Sequence, residues 1–102
     1  MVRINYTHCA QLLKALAHPT RLNIVALIKE EQPCVKALEE VLGVSQSNIS
    51  QHLSLLRHLG IVRARREGNQ VCYRLSDDTV SKMLDVLSNS INQKESENGK
   101  SD

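Results

Sequence analysis

The stretch LGVSQSNISQHLSLLRHLGIV, from Leu42 to Val62, constrains the fold more than any other part of this chain. Gly43 stands where a helix C-terminus favours a residue free to take positive φ. Ser45 two residues later is a good N-cap for the next helix. In that helix Ile49, Leu53 and Leu56 recur at i, i+4 and i+7, with Leu59 three further on, and Gly60 stops it. The period then changes from helical to two. Val62 and Ala64 alternate with Arg63 and Arg65. REGN has turn chemistry, and Val71, Tyr73 and Leu75 alternate with Gln70, Cys72 and Arg74. The segment predicts a helix, a tight turn, a second helix, and a two-stranded hairpin with one apolar face.

The rest of the chain reads as helix. Asn5 to Ala17 places Cys9, Leu12, Leu13 and Leu16 on one face. Pro19 suits the first turn of a second helix, to about Lys29, because its missing N–H has no partner there in any case. Val35, Leu38, Val41 and Leu42 form a short third helix after the break at EEQP. A fifth helix runs from Asp77 to about Gln93, with Val80, Met83, Leu84, Leu87 and Ile91 as its stripe. The expected domain is residues 1–93, and KESENGKSD, residues 94–102, is expected to be a disordered polar tail because it has no apolar residue.

A length of 102 residues suits one small domain. With no Phe, no Trp and two Tyr, the core must be aliphatic. A core that small is marginal alone, so a second copy of the chain is a plausible source of buried area. No apolar run approaches membrane-spanning length and no signal-peptide pattern opens the chain, so no membrane partner and a cytoplasmic location are expected. Three cysteines are too sparse for a disulfide framework, which fits a reducing compartment.

The net charge of +2 says less than its distribution. From Ser45 to Arg74 the basic residues are Arg57, Arg63, Arg65, Arg66 and Arg74, and the only acid is Glu67. A local basic region of this kind attracts a polyanion. The fourth helix then has two jobs. Ile49, Leu53 and Leu56 pack on the domain, while Gln46, Ser47, Asn48, Ser50 and Gln51 crowd its front, where a helix-turn-helix points into the major groove. Gln and Asn bond adenine in bidentate fashion, and Ser reaches bases or phosphates. His52 is a further candidate for a phosphate or base contact. The hairpin takes the place of a wing, with Arg65 and Arg66 just before its tip, suited to phosphate or the minor groove. The plainer alternative is a polar first turn on an ordinary helix, followed by a solvated hairpin.

LLKALAHPTRLNIVALI and VSQSNISQHLSLLRHLGIVRARREGNQVCYRL, with the helix after them, resemble the ArsR/SmtB family of winged helix-turn-helix repressors over residues 8–92. The fold class expected is mainly α with a β-hairpin wing, in the order helix, helix, helix, helix, strand, strand, helix. The resemblance implies a homodimer through the first and last helices, which also carry apolar stripes. It implies binding to double-stranded operator DNA, an imperfect inverted repeat, and release when an inducer arrives. No cofactor is required on this reading, and a thiophilic metal or metalloid ion is a possible inducer.

Members of the family sense through different sites. Of the positions that match the last-helix site, Asp77, Thr79, Ser90 and Gln93, only Asp77 is a plausible ligand, so that site is expected to be absent. A second site begins the third helix with a Cys-Val-Cys pattern completed by the partner's N-terminal region. Here PCVKAL puts Cys34 at the first position and Lys36 at the second, with Cys9 and its neighbour His8 as possible further ligands. Soft thiolates suit thiophilic ions. Cys34 also stands where an N-cap is expected, and a helix N-terminus makes a thiol more reactive, so a redox or persulfide sensor is the alternative. Cys9 lies on an apolar stripe and reads equally as a small hydrophobe. Cys72 falls on the face opposite Val71 and Tyr73 and is the least expected of the three to act. His18, before Pro19, is expected to cap or pack, and His58 to be solvated.

An enzyme is disfavoured, since no nucleophile–base pair, phosphate loop or paired acid cluster appears. A winged-helix module that docks another protein is the other rival, although it would not need an acid-free polar front on the fourth helix.

Overall fold

The structure, a computed structural model, describes the backbone of residues 4–101 and the side chains of residues 4–90. Among the described residues, five helices and one hairpin follow one another as α1 (Tyr6–Leu16), α2 (Pro19–Glu31), α3 (Val35–Leu42), α4 (Gln46–His58), β1 (Val62–Glu67), β2 (Gln70–Leu75) and α5 (Asp78–Ser101). This is the predicted order. The expected tail at 94–102 lies beyond the described side chains, and the α5 backbone runs through it to Ser101.

Local chemistry sets the helix ends. Asn5 caps α1 by accepting from the His8 N–H at 3.0 Å. His18 caps α2 in the same way, its Nδ1 accepting from the Thr20 N–H at 3.2 Å, and Pro19 takes the first helical position. The Arg21 Nε donates to the Ala15 carbonyl at 2.7 Å and so ties the two helices at their junction. Gln32 ends α2 with φ 48°, a left-handed cap held by an amide other than glycine. Gly43 ends α3 at φ 66°, a conformation that costs glycine no Cβ clash.

Packing then follows the apolar spacing. Ile24, Val25 and Ile28 of α2, Leu38 of α3, and Ile49, Leu53 and Leu56 of α4 are all buried, joined by Ile61, Val62, Tyr73, Val80 and Leu84. Burial of each such side chain is worth about 1.5–3 kcal/mol. Leu12, Ala15 and Leu16 face this core from α1, whereas Leu13, expected on the same face, is 53% exposed. A Lys29–Asp85 ion pair at 2.9 Å links α2 to α5, and Asp77 Oδ1 caps α5 by accepting from the Val80 N–H at 3.0 Å.

The hairpin is antiparallel, with Val62 opposite Leu75, Ala64 opposite Tyr73, Arg65 opposite Cys72, and Glu67 opposite Gln70. Its base is closed by Ser76, whose hydroxyl donates to the Gly60 carbonyl at 2.8 Å and whose N–H donates to the Ile61 carbonyl at 2.9 Å. The free edge of β2 is partly covered. The Tyr73 N–H donates to the Pro33 carbonyl at 3.0 Å, and Cys34 forms an isolated antiparallel bridge with Cys72. The α2–α3 connection thus adds a short third rung to the sheet, a pairing that the sequence does not announce.

Candidate nucleic-acid interface and thiol site

Two surfaces concentrate functional chemistry, the front of α4 and the wing. Ser45 accepts from the Asn48 N–H at 3.3 Å, and its hydroxyl lies 3.3 Å from that of Ser47. This cap fixes the first turn of α4. Because Ile49, Leu53 and Leu56 hold the opposite face in the core, Gln46, Ser47, Asn48, Ser50 and Gln51 are all exposed. Their donors and acceptors are presented on a rigid element, with no acidic side chain in the first turn.

His52 differs from the other predicted contacts. It is half-buried, and its ring centroid lies 4.9 Å from that of His18. Desolvation, then the charges of His18 and Arg21, hold its imidazole below the ordinary value. The helical turn directs this position towards the start of α2, so His52 contributes packing there and is a poor cationic partner for phosphate.

On the wing, Arg65 and Arg66 are exposed, as expected. Arg65 is not free: its guanidinium pairs with the Glu67 carboxylate at 2.8 Å. Strand alternation puts Arg65 and Glu67 on the face that also carries Cys72, while Arg66 lies across from Val71 on the other face.

That first face holds the second feature. Cys34, the N-cap of α3, is bonded to Cys72 in a disulfide. One bond is not the framework that three cysteines were expected to be too sparse for, but it gives Cys72, the least expected of the three to act, a covalent partner. Cys72 is almost completely buried, since the Pro33–Cys34 segment covers the edge of β2. Glu67 Oε2 lies 3.7 Å from Cys72 Sγ, and Cys34, Glu67 and Cys72 place their ligand atoms within 4.8 Å of one another. Cys34 makes no side-chain cap bond. Cys9 is unbonded and half-buried on α1, beside exposed His8, so within one chain Cys34 meets Cys72 and not Cys9. His18 caps, as expected. The pairing of Cys72 with Cys34 escapes sequence reasoning because no local spacing joins residues 38 apart. The available signal was a cysteine between Gln70 and Arg74 on an otherwise polar strand face.

A helix-turn-helix with an exposed polar reading end, followed by an arginine-bearing hairpin, defines a winged helix-turn-helix DNA-binding domain. Residues 18–64 match the bacterial regulatory protein arsR family. The chain is 41% identical over 81 residues to the biofilm growth-associated repressor of Agrobacterium fabrum, an alignment covering 79% of this chain and 69% of that protein. It is 46% identical over 67 residues to the repressor SmtB of Mycobacterium tuberculosis, covering 66% of this chain and half of that protein's length. Among solved structures it is similar to the homodimeric winged helix-turn-helix DNA-binding domain Mb0332 of Mycobacterium bovis. The TM-score is 0.78 at 28% identity, over 87% of this chain and 82% of that one. The chain belongs to the ArsR/SmtB family of transcriptional repressors. Among the described residues no helix is long and apolar enough to cross a membrane.

Proposed function

We propose that this repressor binds an imperfect inverted-repeat operator as a homodimer and lets go when Cys34 and Cys72 are oxidised to a disulfide. The observation behind the switch is the Cys34–Cys72 bond itself, which fastens the start of α3 to the second strand of the wing. Both elements flank α4, so the bond restrains how the reading helix and the wing sit on DNA relative to each other. Gln46, Ser47, Asn48, Ser50 and Gln51 read base edges or phosphates, and Arg65 and Arg66 hold the backbone. No cofactor is needed for binding.

The partner copy packs on α1 and α5. Ile4, Tyr6 and Leu13 at one end and Val86 and Leu87 at the other are exposed, from 42% for Leu87 to 77% for Tyr6, and the Mb0332 domain is itself homodimeric. A two-fold pairing sets two α4 helices about 34 Å apart, one turn of duplex.

The oxidation is balanced with a hydroperoxide as oxidant. The Cys34 sulfur, half-buried and so within reach, attacks the peroxide oxygen and becomes a sulfenic acid as water or alcohol leaves. The Cys72 sulfur attacks that sulfur, the S–S bond forms, and the hydroxyl leaves as water with the Cys72 thiol proton. Two thiol hydrogens and two electrons pass to the oxidant. A coupling of about 1–3 kcal/mol weakens operator affinity some 5- to 150-fold. The test is operator binding by the reduced and the peroxide-treated protein, with Cys34→Ser as control. Cys34→Ser retains a hydroxyl for capping and should bind the operator but ignore peroxide. A Cys34→Ser protein released at the parent's peroxide concentration would remove the switch from this residue.

A further inference from the structure

When the bond is reduced, the two sulfurs remain beside a carboxylate. We propose that Cys34, Cys72 and Glu67 of a single chain then form a site for a tetrahedral thiophilic divalent cation, Zn(II) or Cd(II). This deepens the thiol reading of the same residues, but its test reads metal and not DNA, so the two fail separately.

The donor set fits the ion. Two thiolates and one carboxylate oxygen are ligands that such cations accept, and a fourth position stays open to water. With a metal–sulfur bond of about 2.3 Å and a metal–oxygen bond of about 2.1 Å, a tetrahedron has a sulfur–oxygen edge of about 3.6 Å. In the bonded form Glu67 Oε2 already lies 3.7 Å from Cys72 Sγ, and the three donor atoms fall within 4.8 Å of one another. Once the bond is reduced, the two sulfurs have to part to about 3.8 Å, the sulfur–sulfur edge of the same tetrahedron. Each ligand is held by an ordered element: Cys34 at the start of α3, Cys72 in the middle of β2, and Glu67 at the end of β1. Cys72 is buried while the Glu67 side chain is 54% exposed, so the ion enters from the carboxylate side.

The second shell is also present. Arg65 pairs with Glu67 through Oε1, the oxygen that does not face Cys72. The carboxylate can therefore keep Arg65 on one oxygen and offer the other to the ion, an arrangement in which the arginine orients the ligand. Reduction by small thiols returns one hydrogen to each sulfur and leaves the reductant as its own disulfide. Metal uptake then releases the two thiol protons to solvent.

The experiment titrates the fully reduced full-length protein with Cd(II) under anaerobic conditions and follows thiolate-to-metal charge-transfer absorption. One ion per chain with two thiolates is expected. Cys34→Ser and Cys72→Ser should lose that signal, Cys9→Ser should keep it, and Glu67→Gln should weaken binding at least tenfold. Arg65→Ala should weaken it by about 10- to 100-fold as an outer-shell partner. Glu67→Gln is an exposed, conservative change, so it tests the site even where loss of buried Cys72 disturbs the fold. Unchanged affinity in Glu67→Gln, loss of the signal in Cys9→Ser, half an ion per chain, or no uptake by the reduced parent each overturns the site. The last result leaves a peroxide-driven release of DNA untouched.

Discussion

Arg65 and Cys72 are direct cross-strand partners in the wing. One is a cation suited to phosphate, the other a sulfur joined to the start of α3, and Glu67 touches both. The charge that the wing offers to DNA is therefore set next to the thiol chemistry. Glu67→Gln should release Arg65, strengthen binding to duplexes of any sequence, and steepen the dependence of log K on log salt by up to about one unit. Arg65→Ala should flatten that slope by about one unit. Salt titrations with operator and with unrelated duplex measure both, and equal slopes in all three proteins would place Arg65 away from phosphate.

Base readout is expected from the front of α4. Gln51→Ala or Ser47→Ala should each cost about 1–3 kcal/mol on the operator and relax its sequence preference. Competition between operator and scrambled duplex distinguishes this from a loss of general grip, which would weaken both equally.

The disulfide closes a long loop. With its ends 38 positions apart in the sequence, the chain-entropy relation gives about 4 kcal/mol of stabilisation for the oxidised over the reduced form. Urea unfolding with and without reductant should show the midpoint fall on reduction in the parent and stay fixed in Cys34→Ser. Identical midpoints in the parent would mean that the unfolded chain is not restrained by this bond.

Stability should depend on pH through His52. Desolvation, then His18 and Arg21, hold its imidazole below the value of 6.5 found in an unfolded chain. The folded state therefore binds fewer protons than the unfolded state. The contribution is whole above 6.5 and is lost as pH falls from there towards the folded value. Thermal melts across this range should fall more steeply for the parent than for His52→Gln, and parallel curves would count against the desolvated environment.

Dimer assembly is expected to rest on the exposed apolar residues of the terminal helices. Val86→Glu should shift sedimentation towards monomer and weaken operator binding, while Val41→Glu, equally exposed on α3, should leave the dimer intact. A Val86→Glu protein that sediments as the parent would move the interface elsewhere.

Much of this was legible in the sequence. The repeat of Ile49, Leu53 and Leu56, the punctuation at Gly43, Ser45 and Gly60, and the change to period two at Val62 are local signals, and each appears in the structure where the spacing puts it. The polar front of α4 was legible for the same reason, since burying one face of a helix exposes the other. What escaped depends on contacts between distant segments. The burial of Cys72 needs the Pro33–Cys34 rung on the edge of β2. The inward position of His52 needs the start of α2. Leu13 shares a helical stripe with Leu12 and Leu16, yet the core of one chain is narrower than the stripe, which leaves Leu13 outside it.

The bond between Cys34 and Cys72 turns part of the chain into a ring. Within that ring lie α3, α4 and β1, while α1, α2 and α5 lie outside it. Oxidation thus encircles the reading head and leaves the frame linear. A protein built this way can stiffen its hand without altering its handshake: the signal is written into the part that meets DNA, and the part suited to meeting a second copy is left topologically unmarked.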